Sequence, residues 1–325
     1  MERETIIYFD KMTQEMEDML QLHKPENYDL LFWSNLDERS RQQALEEASY
    51  LMATVYEIDK RIIEGAKRTR LIQKCGVGLD NIDVTAASRR GIPVSNIPGC
   101  NAVCVAELTL LLILALYRKL PYANTHTKKG EWLTWKLRPD SYEMRGKTHG
   151  VIGMGHVGWE TAVRSKAMGT EIVYYSFNPL TPEREAAIGA RYLPLEELLK
   201  VSDIVSLHIP LTSDTKALIN SRTLSLMKPN AVLINVARGG IIDEGDLYNA
   251  LVQGTIKGAA LDVFEQEPVN PQHPLLTLEQ VIATPHIGGG TVDTLNYVYQ
   301  SAYENIERVQ QGQHPLFACN TLATV

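Results

Sequence analysis

The sequence has only four cysteines, Cys75, Cys100, Cys104 and Cys319, and no C-x-x-C pair among them. Cys100 and Cys104 would share a face if helical, but no histidine-rich set accompanies them. A metal site is therefore not expected, and reduced, partly buried thiols of a cytoplasmic protein are. Long hydrophobic runs are also missing. The most apolar stretch, Val103 to Leu116, is about 14 residues long and contains Glu107, which suits a buried helix better than a membrane span. The opening Met1 to Glu4 is charged and the next apolar run is too short for a signal peptide. An excess of positive charge is lacking as well: the net charge of -7 aids solubility and argues against non-specific nucleic-acid binding. No repeat or low-complexity segment is found. What is left is an ordinary globular composition in a chain of 325 residues, too long for one average domain, so two domains are expected.

Against this plain background the stretch His149 to Asn178 stands out. Gly150-Val151-Ile152 ends a short apolar run, and Gly153, Gly155 and Gly158 follow in G-x-G-x-x-G spacing. A helical segment from Val157 to Met168 comes next, and a second strand opens at Glu171. In such a unit one glycine makes the tight turn, one lets backbone approach a pyrophosphate, and one lets helix pack on strand. Amides around His156 and Val157 would meet the anion at the helix N-terminus. Three glycines alone are weak; in strand–turn–helix–strand context they predict dinucleotide binding rather than a plain glycine-rich turn.

The same alternation runs through both halves of the chain. Strands are expected at residues 6–9, 28–33, 51–55, 71–75 and 93–95, with helices between them, which describes a small α/β domain with a covered parallel sheet. Pro98-Gly99 breaks the pattern, and Asn101 opens a long apolar helix through about Lys119 that Pro121 is expected to end. Tyr122 to Arg145 reads as a helix and an extended arm whose Trp132 and Trp135 pack internally or against a partner subunit. A second series of strands is expected at 149–152, 171–175, 203–207, 231–236, 259–263 and 281–283, and one last helix at 291–311. Six or seven strands wound in this way describe a dinucleotide fold.

Three later segments place reactive side chains where strands end: NVARGGIIDE delivers Arg238, ALDVFEQEP leaves Asp262 and Glu267, and TPHIGG puts His286 on the next turn. Ligands of doubly wound sheets bind outside the carboxyl ends of the strands, so these groups should converge. An imidazole exchanges a proton near neutral pH, a carboxylate beside it favours its charged form, and a guanidinium clamps a carboxylate bidentately. Taken singly, each has a plainer reading beside it: Arg238 as a surface ion pair, Glu267 as a solvated loop acid and His286 as a structural histidine. Jointly, downstream of a nucleotide unit, those readings lose ground.

Together with the glycine unit, KCGVGLDNID (Lys74 to Asp83) and GIPVSNIPGCNAVCVAE (Gly91 to Glu107), these motifs resemble the D-isomer-specific 2-hydroxyacid dehydrogenases over nearly the whole chain. The resemblance implies an α/β protein of two Rossmann-like domains. A doubly wound dinucleotide-binding domain (100–287) would be inserted in a smaller, flavodoxin-like substrate domain (1–99 and 288–325), with the active site in the cleft between them. It further implies that Arg238 binds the substrate, His286 is the acid/base and Glu267 its partner. Val77, Gly78 and Asn101 would contact substrate. The cofactor, NAD or NADP, would meet Gly153, Gly155, His156, Val157, Gly158, Ser176, His208 and Pro210 of SLHIP, Ala237, Asp262, Gly288 and Gly289. Family members commonly pair as homodimers through the segment matching 100–145.

The small acid implied is glyoxylate or hydroxypyruvate. Glu267 stands where formate-specific members carry Gln. Ala53 or Thr54 stands where phosphoglycerate-specific members carry a phosphate-binding Arg, and no regulatory domain follows residue 325. A phosphoglycerate dehydrogenase-type activity and a non-catalytic, dinucleotide-sensing corepressor are the alternatives. One part of the nucleotide unit is missing. The acid that should end its second strand, about 20 residues past the first glycine, is replaced by Ser176, Phe177 and Asn178. No carboxylate there repels a 2′-phosphate and no arginine attracts one; Arg184 is the nearest cation. Relaxed cofactor choice, tilted to NADP, is the expectation.

Overall fold

The structure is a computed structural model and describes residues 3–320; the expectations for Met1, Glu2 and residues 321–325 lie outside the described residues. The chain divides into two compact units, one formed by Met1–Asn101 with Thr291–Val325 and the other by Ala102–Gly290.

The first unit is built on five parallel strands: β1 (Glu4–Tyr8), β2 (Tyr28–Phe32), β3 (Tyr50–Ala53), β4 (Leu71–Lys74) and β5 (Val94–Ser95). Their order is β2-β1-β3-β4-β5, the flavodoxin-like winding. Three of the four α-helices between them begin where an aspartate caps them, the exception being Gln14–His23, which follows Thr13. Asp37 accepts the Ser40 N–H (2.8 Å), Asp59 that of Ile62 (2.9 Å) and Asp83 that of Ala86 (2.8 Å). Both faces of the sheet are buried. One is covered by the apolar cluster around Ile7, Leu51 and Ile72, the other by Ile6, Tyr8 and Met52 against Val298, Tyr299 and Ala302 of the helix Val292–Gln310. That last helix thus returns the chain's end to the first unit.

The second unit holds seven parallel strands: β6 (Thr148–Ile152), β7 (Glu171–Tyr175), β8 (Arg191–Tyr192), β9 (Ile204–Leu207), β10 (Val232–Asn235), β11 (Gly258–Leu261) and β12 (Val281–Ala283). The order β12-β11-β10-β9-β6-β7-β8 is a doubly wound sheet whose direction of winding reverses between β6 and β9. Both sheets are as the motifs imply. The two-residue edge strand β8 is not among the expected strands, since two residues carry no periodicity.

The helix Ala102–Tyr117 packs on β10, β11 and the helix His156–Ala167, which accounts for its apolar character. It ends four residues before Pro121, earlier than expected. Lys119 takes a left-handed conformation (φ 49°), and Pro121 lies in the first turn of the next helix, Leu120–Lys128. A proline costs nothing there, because first-turn amides have no intrahelical acceptor to lose. The arm that follows is a short helix, Thr134–Leu137, and one 3₁₀ turn. Trp132 and Trp135 are 84% and 77% exposed, so internal packing of these rings is ruled out; Arg138 stacks over Trp135 at 4.4 Å.

One buried polar group organises the far end of the first unit. Asn305 donates from Nδ2 to Gln73 Oε1 (2.9 Å) and Ser95 Oγ (3.1 Å) and accepts the Leu316 N–H at Oδ1 (2.8 Å). Replacing it strands buried partners. Asn305→Ala is expected to lower the unfolding free energy by about 2 kcal/mol, read as a shifted midpoint in urea denaturation. A change under about 0.5 kcal/mol would mean the partners find water.

Candidate active site

The glycine turn occupies the switch point of the second sheet, between β6 and β9. Gly153 has φ +98°, and a Cβ on it would lie 2.6 Å from the carbonyl oxygen of His208, so only glycine allows this close approach. The contact is knit by backbone bonds from the N–H of Gly153 to Tyr175 O and from that of His208 to Ile152 O, both 2.7 Å. A Cβ on Gly158 would collide with the Gly153 carbonyl, which is the tight strand–helix packing expected of the third glycine. At Gly155 a Cβ would meet nothing within 4 Å, and no side chain caps the helix His156–Ala167 that begins there. Open space in front of uncapped first-turn amides, His156 and Val157 among them, is what a pyrophosphate requires. The residues present fit a dinucleotide.

At the end of β7, Ser176 is half-buried and Phe177 and Asn178 are exposed, with Phe177 set edge-on to Tyr175. Arg184 lies with its guanidinium 4.3 Å over the Trp159 ring.

Behind the turn runs a buried polar chain whose strand residues, His149 and Ser206, carry no signal of it in the sequence, and whose end is His208, the residue expected to line the cofactor. His149, fully buried in β6, shares hydrogen bonds with Ser165 Oγ at Nδ1 and with Ser206 Oγ at Nε2, both 2.8 Å. Ser206 is also 2.8 Å from His208 Nε2. Ser206 has one hydroxyl proton for two imidazoles, so at least one ring donates to it for all three to be paired. His208 Nδ1 ends the chain, buried and without a partner among the described residues.

Arg238, Glu267 and His286 follow β10, β11 and β12, three neighbouring strands. His286 Nδ1 and Glu267 Oε2 are 2.6 Å apart, while His286 Nε2 has no protein partner among the described residues. The histidine sits at φ 54°, a left-handed conformation that costs a non-glycine residue energy. It is held there by its N–H donating to Asp262 O (2.8 Å). Asp262 also braces the turn from its side chain. It accepts Thr284 Oγ1–H (2.6 Å) and the N–H groups of Ile287 (2.9 Å) and Gly288 (2.8 Å). Glu267 Oε1 accepts the Phe264 N–H (3.0 Å), which fixes the carboxylate on its own turn. Arg238 is half-buried and donates to Ala237 O (2.7 Å). The adjoining Gly239 presses on the Phe264–Glu265 backbone so closely that a Cβ would overlap it, tying the arginine's turn to that of Glu267. Val77, Gly78 and Asn101 belong to the first unit, where Val77 is exposed and its carbonyl accepts Asn96 Nδ2–H (2.7 Å). Among the described residues no group of metal-ligating side chains occurs, and no helix is long and apolar enough to cross a membrane.

A doubly wound sheet with a phosphate cradle at its switch point defines a dinucleotide-binding domain. A family model described as "D-isomer specific 2-hydroxyacid dehydrogenase, NAD binding domain" matches residues 110–288. The glyoxylate reductase of Aeropyrum pernix is 43% identical over 265 residues, 79% of this chain and 78% of that one. The D-3-phosphoglycerate dehydrogenase of Archaeoglobus fulgidus is 40% identical over 84% of this chain but only 52% of its own. The holo form of D-mandelate dehydrogenase from Rhodotorula graminis superposes with a TM-score of 0.87 at 26% identity, covering 99% of each chain. The chain belongs to the D-isomer-specific 2-hydroxyacid dehydrogenase family.

The buried imidazoles make stability depend on pH. Burial pushes His149 down to about 3, and burial together with neighbouring His149 does the same to His208. Below their ordinary value near 6.5 the unfolded chain takes up protons that the folded chain refuses. Stability is therefore complete above that pH and is lost as pH falls toward about 3. Each group contributes a slope of up to about 1.4 kcal/mol per pH unit in this window. Denaturant titrations between pH 4 and 6 should give His149→Leu a visibly shallower slope than the parent; parallel slopes would mean that His149 is protonated in the fold.

Proposed function

We propose that this dehydrogenase interconverts a small 2-oxo acid and its D-2-hydroxy acid, with His286 as acid/base, Glu267 as its partner and Arg238 on the substrate carboxylate. The observation that carries this is the 2.6 Å bond between Glu267 and His286 Nδ1, which leaves Nε2 as the atom free to exchange a proton. The Arg238 guanidinium clamps the carboxylate and polarises the adjoining carbonyl. When bound, the reduced nicotinamide supplies the hydride that reaches the carbonyl carbon. His286 Nε2–H gives its proton to the oxygen as charge develops there, and Glu267 keeps the ring in the orientation that permits it. Asp262 would hold the carboxamide with whatever acceptor capacity its three bonds leave; Val77, Gly78 and Asn101 would bind substrate, and Ser176, His208, Pro210, Ala237, Gly288 and Gly289 would line the dinucleotide.

Glyoxylate or hydroxypyruvate is the substrate favoured. The glyoxylate reductase relative supports it, as does the segment after β3. Ala53 is buried there, and Thr54 shares a hydrogen bond with Tyr8 Oη through its hydroxyl and accepts from Lys74 through its carbonyl, so neither position carries an arginine for a phosphate. Cofactor choice is relaxed and tilted to NADP, because no carboxylate at the end of β7 repels a 2′-phosphate. The exposed Trp132, Trp135 and Leu120 favour a homodimer through 100–145. Sedimentation of the parent should give a dimer and Trp132→Ala/Trp135→Ala a weakened one; a monomeric parent removes this part.

A panel of 2-oxo acids with NADH and NADPH, followed by nicotinamide absorbance, tests the reaction. Glyoxylate or hydroxypyruvate should lead, with kcat/KM for the two cofactors within about tenfold. A preference for NADH of about a hundredfold, ~2.7 kcal/mol, would overturn the cofactor assignment. Dinucleotide binding without turnover would favour a sensor. His286→Ala should lose at least ~10²-fold in kcat with dinucleotide affinity nearly unchanged; if affinity collapses instead, the role given to His286 is wrong.

A further inference from the structure

The Glu267–His286 pair has a second carboxylate–imidazole pair behind it. Glu244 opens the helix Glu244–Val252. Its Oε1 accepts the Glu265 N–H at 2.7 Å, and its Oε2 is 3.0 Å from His273 Nε2. His273 Nδ1 accepts the Leu275 N–H (3.4 Å), so Nε2 is the protonated atom that faces Glu244. These two side chains are 12% and 22% exposed, against 37% and 44% for Glu267 and His286. The outer pair is open to solvent; the inner pair holds backbone.

What it holds is the turn that carries Glu267. The Glu265 amide lies two residues before that carboxylate, and the Phe264 amide closes the same turn onto Glu267 Oε1. The Phe264 ring meets His273 edge-on with centroids 6.0 Å apart. Gly239 blocks the turn from the side of Arg238. A charged acceptor binds a backbone N–H more strongly than a neutral one, and the helix N-terminus favours a carboxylate at Glu244.

We propose that Glu244, oriented by His273, is a positioning residue for the hydride-transfer reaction: it fixes the 264–267 turn so that Glu267 stays on His286 Nδ1. The inference rests on the reading of His286 as acid/base. Among the described residues Glu244 bonds the Glu265 N–H and His273, so its effect on the reaction passes through the geometry of the pair, where a shift of about 1 Å is enough to cost up to about a hundredfold.

The test is steady-state kinetics on the full chain with its best acid and cofactor, alongside dinucleotide affinity measured by fluorescence titration. Glu244→Ala should lower kcat by about ten- to a hundredfold while KM for the acid and affinity for the dinucleotide stay within about threefold. Glu244→Gln, whose amide oxygen still accepts the Glu265 N–H, should recover most of that loss. His273→Gln should lose about three- to tenfold in kcat with affinity unchanged, and it decides the matter together with the Gln variant if the Ala variant does not fold. A kcat within about twofold of the parent in Glu244→Ala, or in His273→Gln should the Ala variant fail to fold, overturns the proposal. So does a loss shared equally by kcat and dinucleotide affinity, or a Gln variant no better than Ala. His286→Ala run in parallel separates the two readings. Full turnover there removes the acid/base role and this inference with it, whereas a dead His286→Ala beside a fully active Glu244→Ala removes this inference alone.

Discussion

The ladder that joins β10, β11 and β12 sets the level of everything at the candidate site. Asn235 lies opposite Leu261, and Leu261 opposite Ala283, so the three strands end in step. Backbone bonds carry the ladder one residue further, from Asp262 N–H to Asn235 O (2.9 Å) and from Thr284 N–H to Leu261 O (3.0 Å). Arg238, Glu267 and His286 depart from that common edge within a few residues. Parallel strands in register deliver their following turns to one side of the sheet, and a slip in any of them would scatter these groups.

Beyond the edge the turns have no regular structure and must be held by other means. Asp262 does this for the His286 turn with three side-chain bonds and one carbonyl, enough to keep a histidine at positive φ. Glu244 does it for the Glu267 turn, and Gly239 locks that turn against Arg238 by leaving no room between them. Each brace is a buried or largely buried carboxylate or a missing side chain. Both are costly elsewhere in a fold and are useful where a reacting group has to be held to within a fraction of an ångström.

The nucleotide end uses the same means differently. At the switch point the backbone of Gly153 rests on that of His208, and a Cβ on Gly155 would meet no protein atom within 4 Å. Beneath it the chain from Ser165 through His149 and Ser206 to His208 is made of neutral donors and acceptors. Mutual hydrogen bonds, with only His208 Nδ1 left over among the described residues, let these polar groups stay buried without charge, though at the expense of stability in acid.

Much of this was legible in the order of residues. Alternating apolar and amphipathic runs marked eleven of the twelve strands to within a residue or two, because a buried parallel strand must be apolar nearly throughout. The glycine spacing pointed to the cradle, since only glycine permits the approach at Gly153 and Gly158. Arg238, Glu267 and His286 were visible as reactive residues at strand ends. Their partners were not. His149 read only as the start of a strand, Glu244 as the tail of a motif, and nothing in the sequence singled out His273, because each acts on groups 16 to 57 residues away that only the folded chain brings near. Pro121 likewise read as the end of one helix, while the packed chain made it the first turn of another. Local pattern reports what a segment can bury and which conformation it tolerates. Which side chain steadies which turn is decided by register and close packing, and those exist only once the strands lie side by side.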